Sequence, residues 1–272
     1  MTQTLSVSAA VTRKPKKKSY YSDVLKRFKR HKLAMVGLVM LVIILLTVIL
    51  LPIILRLDPY TTMVAPALSK PSAKYPLGVD ATGRDNFARL LYGGRVSLLV
   101  GLLSTFISIV IGVPLGLYAA YYRGILEVIV MRVVDIFMSF PSMVLIMVLV
   151  SIIGPSIWSV TIVIGVLGWP QFARQIYGTA LSVREKEYVE AARAVGADDL
   201  RIITRYILPN AVAPILITAT FRTAAAMLQE STLSFLGMGV QPPQASWGNI
   251  LYSAQSIAVL STRPWMWLPA GI

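Results

Sequence analysis

The sequence predicts an all-α membrane protein that crosses the bilayer several times, and two observations carry this prediction. The 272 residues are 56% hydrophobic and only 14% charged, whereas soluble chains are roughly 25% charged. The hydrophobic residues are concentrated in long runs, which we place at 33–55, 96–122, 128–154, 157–178 and 211–237. As helices that rise about 1.5 Å per residue, all of these runs are long enough to cross a hydrocarbon core of about 30 Å.

The basic N-terminal segment, residues 1–32, holds ten of the 26 Lys and Arg residues. Such a cluster directly before a first span keeps that end of the chain in the cytoplasm, and it favours anionic lipid over nucleic acid as the partner. The run at 33–55 is too long for a secretory signal peptide and lacks a small-residue cleavage site. We therefore predict a first spanning helix over 33–55 in a multi-pass protein of the cell membrane.

The segments between the spans can be assigned by alternating sides from a cytoplasmic N-terminus. Residues 56–95 become an extracytoplasmic loop, and 179–210 become a cytoplasmic loop. A second extracytoplasmic loop is expected from about residue 238. Residues 96–272 thus form a helical core that carries one large cytoplasmic loop.

Glycines and prolines predict contacts and breaks within the spans. Gly112 and Gly116 have the GxxxG spacing that lets two membrane helices approach closely. Pro141, Pro170 and Pro214 interrupt three other spans, because proline lacks the N–H that a helix interior requires.

Of the charged residues inside predicted spans, where an unpaired charge costs a few kcal/mol, four are candidates for an ion pair or for the transport pathway. Arg132 and Asp135 are three residues apart, so they share a helix face, and we expect an internal ion pair rather than a substrate contact. Arg222 and Glu230 are eight residues apart on similar sides of a helix. They would suit a water-filled pathway or a partner subunit, and Glu230 is the better pathway candidate.

The cytoplasmic loop carries signals for two short helices. Ser182 and Glu185 have the spacing of a capping box, which predicts a helix that begins near Val183. Gly196 is the expected end of this helix, since glycine adopts the left-handed conformation at low cost. Asp198 and Asp199 suit the start of a second helix. Pro209 is expected to end it.

Both predicted helices are amphipathic. One apolar stripe comprises Tyr188, Ala192 and Val195, and the other comprises Leu200, Ile203 and Ile207. The small pair Ala191 and Ala192 would allow another backbone to come close. These patterns leave two interpretations open, a docking surface for another protein and an ordinary solvated loop.

The stretch most similar to an ATP-binding phosphate loop is "GVDATGRD" at 78–85, and it lacks the residues that such a loop requires. It has the G-x-x-x-x-G spacing, but Arg84 and Asp85 stand where a phosphate loop needs Lys and Ser or Thr. We interpret it as a structured turn. The chain has no cysteine, which excludes disulfides and thiolate metal sites, and we predict neither a catalytic nor a metal site.

The cytoplasmic loop resembles the EAA loop of ABC importer permeases, whose pattern appears here as Glu190, Ala191, Ala192, Gly196, Leu208 and Pro209. The segments at 75–98, 132–145 and 230–251 are similar to the C-type subunit of the dipeptide and oligopeptide branch. Tyr206 departs from that branch, which often has histidine there. The resemblance covers most of the chain from about Leu33.

This resemblance implies the transmembrane domain of a type I ABC importer, with a sixth span expected after residue 272. In that family the loop supplies a helix that docks in a cleft of the ATP-hydrolysing subunit. The residues expected to couple the two proteins are Tyr188, Glu190, Ala191, Ala192, Val195, Gly196, Leu208 and Pro209. Such a permease is not an enzyme, and ATP with Mg²⁺ would be bound by its partners.

The partners implied are a homologous B-type permease, two ATP-binding subunits, an extracytoplasmic binding protein and a peptide cargo. Nickel complexes and glutathione are alternative cargoes within the branch. An ion-coupled secondary transporter would instead be expected to have internal repeats, and none is visible in the sequence. A membrane scaffold without transport would not need the four candidate charges inside the spans.

Overall fold

The computed structural model describes residues 28–271, which are predominantly helical. Within that range, the only β-type pairing is one isolated bridge between Val79 and Asp85. In chain order the helices are α1 Lys32–Ile54, α2 Asn86–Tyr122, α3 Gly124–Ser139, α4 Ser142–Ile153, α5 Ile157–Arg184, α6 Glu187–Ala194, α7 Asp199–Ile202, α8 Leu208–Phe235, α9 Trp247–Ser253, α10 Ile257–Thr262 and α11 Pro264–Gly271, with a π-helical turn Ile203–Ile207 between α7 and α8.

The chain divides into two units, Met1–Thr47 and Val48–Ile272. Helix α1 begins in the first unit and ends in the second, and it covers residues 33–54 of the predicted first span. Its apolar side chains are largely exposed, for example Leu41 and Ile43 at 54% and 57%. Lipid is the environment that such a surface requires. Of the predicted basic segment 1–32, residues 1–27 lie outside the described residues.

Close contact between α2 and α5 forms the centre of the second unit. At Gly116 an added Cβ atom would lie 2.5 Å from the carbonyl oxygen of Ala173, and at Gly112 it would lie 2.8 Å from Cβ of Phe172. Any side chain at these positions would therefore push the helices apart. The predicted role of the GxxxG pair in close helix contact is confirmed.

The third predicted span, 128–154, is not one straight helix. Helices α3 and α4 meet at an angle of 87°. The break lies at Phe140 and Pro141, where Phe140 has the extended backbone that a residue before proline prefers. Pro170 and Pro214, by contrast, lie within the continuous helices α5 and α8.

The helices of the second and fourth predicted spans, 96–122 and 157–178, are longer than predicted. Helix α2 begins at Asn86, ten residues before 96, because the carboxylate of Asp85 accepts a hydrogen bond from the Phe87 N–H and caps the helix. Helix α5 continues six residues beyond 178, to Arg184.

By length and apolar composition, three helical stretches of the described chain can cross a membrane, or four if the bent pair is one span. They are α1, α2 and the run Asp199–Phe235. Helix α5 is long enough but more polar. Much of its surface, including Ile164, Phe172 and Ile176, is buried against neighbouring helices. A helix enclosed by protein in this way needs less apolar surface than one that faces lipid.

The chain after residue 238 is more structured than the predicted loop. It folds into α9, α10 and α11. Ser246 and Asn249 form a capping box that begins α9. The expected sixth span lies outside the described residues.

Candidate functional site

The segment between α5 and α8 contains two short helices, α6 and α7, as the sequence predicts. Its start is different, because the Ser182 hydroxyl donates to the Gly178 carbonyl oxygen at 2.9 Å and α5 continues past it. The predicted capping box of Ser182 and Glu185 is therefore wrong. Helix α6 begins after Lys186, which caps it without a side-chain hydrogen bond.

Gly196 and Asp198 organise the connection between α6 and α7 as predicted. Gly196 has φ +81°, the left-handed conformation that ends a helix. Asp198 caps α7 by accepting a hydrogen bond from the Arg201 N–H at 3.3 Å. The predicted stop at Pro209 is wrong, since the helical path runs continuously into α8. Pro209 has no N–H donor, and the wider π turn Ile203–Ile207 comes directly before the helix that contains it.

The inner face of this two-helix segment (residues 187–202) is anchored in the hydrophobic core. Val189 and Ile202 are buried in a cluster with residues of α2 and α5, and Ala192 is buried as well. Ile203 and Ile207, from the π turn, belong to the same cluster. The predicted stripes are thus correct for Ala192, Ile203 and Ile207.

The other members of the predicted stripes point outward. Tyr188 is 45% exposed, Val195 is 84% exposed and Leu200 is 61% exposed. We call these three residues the apolar patch. Glu190, Ala191, Gly196 and Pro209 are also exposed, whereas Leu208 is partly buried. Exposed apolar side chains on a segment that is anchored to the core are typical of an interaction surface.

Tyr121, near the end of α2, fastens the two-helix segment to the core, and it was not among the predicted site residues. Its hydroxyl donates to the Asp199 carboxylate at 2.6 Å. The Arg193 guanidinium lies 5.8 Å from the centroid of the Tyr121 ring. A hydrogen bond to a carboxylate is stronger than a neutral one. The only hint in the sequence was a tyrosine-rich end to the span.

Tyr206, the residue that departs from the pattern of the dipeptide and oligopeptide branch, packs beside Tyr188 with ring centroids 6.4 Å apart.

The predicted ion pair between Arg132 and Asp135 is not formed. Asp135 instead pairs with Arg174 of α5. A sequence reading could not find this partner, because it lies 39 residues away. Arg132, Asp135 and Arg174 all line one open cavity of about 760 Å³ between α3 and α5.

Arg222 and Glu230 have different surroundings. Glu230 is fully buried, and it accepts hydrogen bonds from Ser97 at 2.9 Å and Ser234 at 2.7 Å. It does not line the cavity that Arg222 borders. Arg222 is 9% exposed and lines a cavity of about 260 Å³ beside the α3–α4 bend. The preference for Glu230 as the pathway residue stays a prediction, and Arg222 is the one of the two that borders this cavity.

Residues 57–85, which we call the turn segment, contain the sequence that resembled a phosphate loop. Asp80 forms salt bridges with Arg84 at 2.7 Å and with Arg89 of α2 at 3.6 Å. Burial opposes its ionisation, but hydrogen bonds from Arg84 and Thr82 outweigh this and lower the pKa of Asp80 below its ordinary 3.8. The segment is a structured turn, as predicted. Within residues 28–271, no three His, Asp or Glu side chains are placed to hold a metal ion.

Comparison with known proteins identifies the relatives of this fold. Residues 112–269 match the family described as the binding-protein-dependent transport system inner membrane component. Residues 19–71 match the N-terminal transmembrane domain of oligopeptide transport permease C.

Individual relatives cover most of the chain. It is 42% identical over 245 residues to a peptide permease protein of Brucella ovis, covering 90% of this chain and 81% of that protein. It is 36% identical over 253 residues to the dipeptide transport system permease protein DppC of Alkalihalophilus pseudofirmus, covering 93% and 83%. A solved structure of the inward-facing MetNI methionine ABC transporter has a similar fold, with a TM-score of 0.56 and 24% identity over 67% of this chain and 86% of that one.

Proposed function

Because the chain belongs to the family of binding-protein-dependent transport system inner membrane components, it is a multi-pass permease subunit of an ABC importer, and we propose that it carries small peptides inward. The relatives named above are described as peptide and dipeptide permeases. The high identity over most of the chain supports a cargo of the same class.

The single observation that carries the mechanism is the apolar patch on an anchored helix pair. Tyr188, Val195 and Leu200 are exposed, while Val189 and Ile202 hold the same segment to the core. We propose that an ATP-binding subunit docks on the patch. Glu190, Ala191 and Gly196 lie beside the patch on the same segment and would contact that subunit.

The proposed motion passes from the docked subunit to the spans. When the two ATP-binding subunits close on ATP, they would move the two-helix segment. Tyr121 then transmits this motion to α2 through Asp199, to which it donates a hydrogen bond at 2.6 Å. The helices would shift between inward-open and outward-open arrangements, and hydrolysis would reset them. ATP and Mg²⁺ are assigned to the partner subunits.

The remaining partners and the sidedness are part of the same proposal. The two-helix segment is assigned to the cytoplasm, because ATP is there, and this places the basic N-terminus on the same side. The turn segment would then face the extracytoplasmic binding protein. A homologous B-type permease would supply the other half of the pathway, in keeping with the large exposed apolar surface of α8, including Leu216 and Phe221.

The test is uptake by the complete importer in liposomes, with its permease partner, ATP-binding subunits and binding protein. We expect labelled dipeptides to accumulate only with ATP. Transport of nickel complexes or glutathione without any dipeptide transport would overturn the peptide cargo. Accumulation of dipeptide without ATP would overturn the importer mechanism.

A further inference from the structure

We propose that Arg222 binds the C-terminal carboxylate of the peptide cargo in the cavity beside the α3–α4 bend, an inference that rests on the peptide cargo proposed above. Arg222 lies near the middle of α8, Leu208–Phe235. A guanidinium at that depth is costly unless it is paired or faces water. The first question is therefore what compensates its charge.

Within the described chain, Arg222 donates hydrogen bonds to two acceptors, but no acidic side chain neutralises its charge. Its guanidinium donates to the Ile164 carbonyl oxygen at 3.0 Å and to the Gln229 side-chain oxygen at 3.2 Å. Both acceptors are neutral. Between residues 28 and 271, no carboxylate lies within 4.0 Å of it. Glu230 is occupied with Ser97 and Ser234.

The site is built for a guanidinium. At Gly168 an added Cβ atom would lie 2.6 Å from Nη2 and 2.8 Å from Nε of Arg222. The absence of a side chain on α5 thus leaves the space that the guanidinium occupies. Arginine has five N–H donors, and two hydrogen bonds leave donors free for the forked contact that a carboxylate makes.

The cavity fits one end of a peptide. Its volume of about 260 Å³ is below the roughly 300–1,000 Å³ of sites that enclose a whole small ligand. Ser142 and Gln171 supply polar atoms to the lining, and Phe137 and Phe140 supply aromatic surface.

A carboxylate is also the group that varied cargo shares. Every linear peptide ends in one, whatever its side chains, so a site for this group serves peptides of different sequence. Desolvated charge-assisted hydrogen bonds can discriminate strongly against a ligand that lacks the charge. The bend between α3 and α4 forms one wall of the cavity, so a change in the bend would change access to Arg222.

The experiment compares uptake of dialanine and of its C-terminal amide by the complete importer in liposomes. Any preference of the binding protein for one cargo affects all permease variants equally, because the same binding protein serves each of them. We expect Arg222→Gln to lower dialanine uptake about tenfold, as loss of one charge-assisted contact predicts, and to leave uptake of the amide nearly unchanged. Arg56→Gln, which removes a charge from an exposed residue, should leave both unchanged.

Two further variants separate binding from folding. Arg222→Lys keeps the charge but loses the forked geometry, and it should lower dialanine uptake selectively by about threefold. Gly168→Ala should give the same selectivity by displacing the guanidinium. Equal losses for both cargoes, or no loss for either, would overturn the carboxylate site while leaving peptide import standing. Failure of the unaltered importer to move either cargo would overturn peptide import and the site together.

Discussion

The turn segment (residues 57–85) and the two-helix segment (187–202) both lie outside the long helices, but they use their polar and apolar groups in opposite ways. The turn segment encloses one charge, since the side chain of Asp80 is 5% exposed and pairs with Arg84 and with Arg89 of α2. The two-helix segment keeps its charges outward and also exposes Tyr188, Val195 and Leu200. The first segment buries an ion pair, whereas the second has an apolar surface that an ATP-binding subunit would cover.

Because of this difference, we expect residues of the turn segment to act on stability and residues of the two-helix segment to act on assembly. A buried charge in the turn segment contributes to stability, because removing one partner leaves the other uncompensated. An exposed apolar residue in the two-helix segment contributes little to the stability of the isolated chain. Substitutions in the first segment should therefore change unfolding, and those in the second should change assembly and transport.

The largest expected effect is on assembly. Val195→Asp and Leu200→Asp place a charge in the proposed docking surface and should lower co-purification of the ATP-binding subunit and peptide uptake at least tenfold, since a desolvated unpaired charge costs several kcal/mol. For co-purification of the ATP-binding subunit, the matched control is Met63→Asp in the turn segment, because Met63 is 86% exposed and Val195 is 84% exposed. Equal co-purification with all three variants would contradict docking on the patch.

A stability effect is expected in the turn segment. Asp80→Asn removes the buried carboxylate that neutralises Arg84 and Arg89, and it should lower the free energy of unfolding by about 3 kcal/mol. Thermal unfolding of the purified chain in detergent measures this. Asp198→Asn is the control in the other segment, because asparagine caps a helix as well as aspartate does. A loss as large in the control as in Asp80→Asn would remove the distinction between the segments.

A smaller effect should follow from Tyr121→Phe. This change removes the hydrogen bond to Asp199 but keeps the buried ring, so uptake per ATP hydrolysed should fall about three- to tenfold. Tyr118→Phe is a suitable control, because the Tyr118 ring stacks on Tyr122 and its exposed fraction is 41%. If both variants kept the same ratio of uptake to hydrolysis, Tyr121 would have no part in transmission.

The amount that could be predicted from the sequence differs between the segments. Gly196 and Asp198 act through neighbouring residues, so their roles were visible from local spacing. The outward position of Val195 and Leu200 was not, because periodicity identifies a stripe but not what covers it. The partners of Asp135 and Tyr121 lie 39 and 78 residues away, and only the packing of α2, α5 and the two-helix segment brings them together.

The spans show the same division. Apolar runs located the long helices, and Gly112 with Gly116 indicated their close contact. The bend at Pro141 and the continuous passage through Pro209 could not be distinguished by the presence of proline alone. At Pro209 the helical path includes the π turn Ile203–Ile207. Such a turn has no simple sequence signature.

The smallest expected effect is the pH dependence of the turn segment. The pKa of Asp80 is lowered below 3.8 in the folded chain, so its stabilising contribution is complete above that value and is lost only as the pH falls further. The difference in unfolding temperature between the unaltered chain and Asp80→Asn should stay constant from neutral pH to about pH 4. A difference that disappeared at mildly acidic pH would contradict the depressed pKa.

The central claim is that the two-helix segment couples the ATP-binding subunit to transport, and stimulated ATP hydrolysis by the complete importer tests it most directly. Glu190→Lys reverses an exposed charge beside the apolar patch, and Glu185→Lys makes the same change between α5 and α6. We expect Glu190→Lys to abolish the stimulation of hydrolysis by the peptide-loaded binding protein, and Glu185→Lys to retain it. Full stimulation with unchanged peptide uptake in Glu190→Lys would contradict the coupling role.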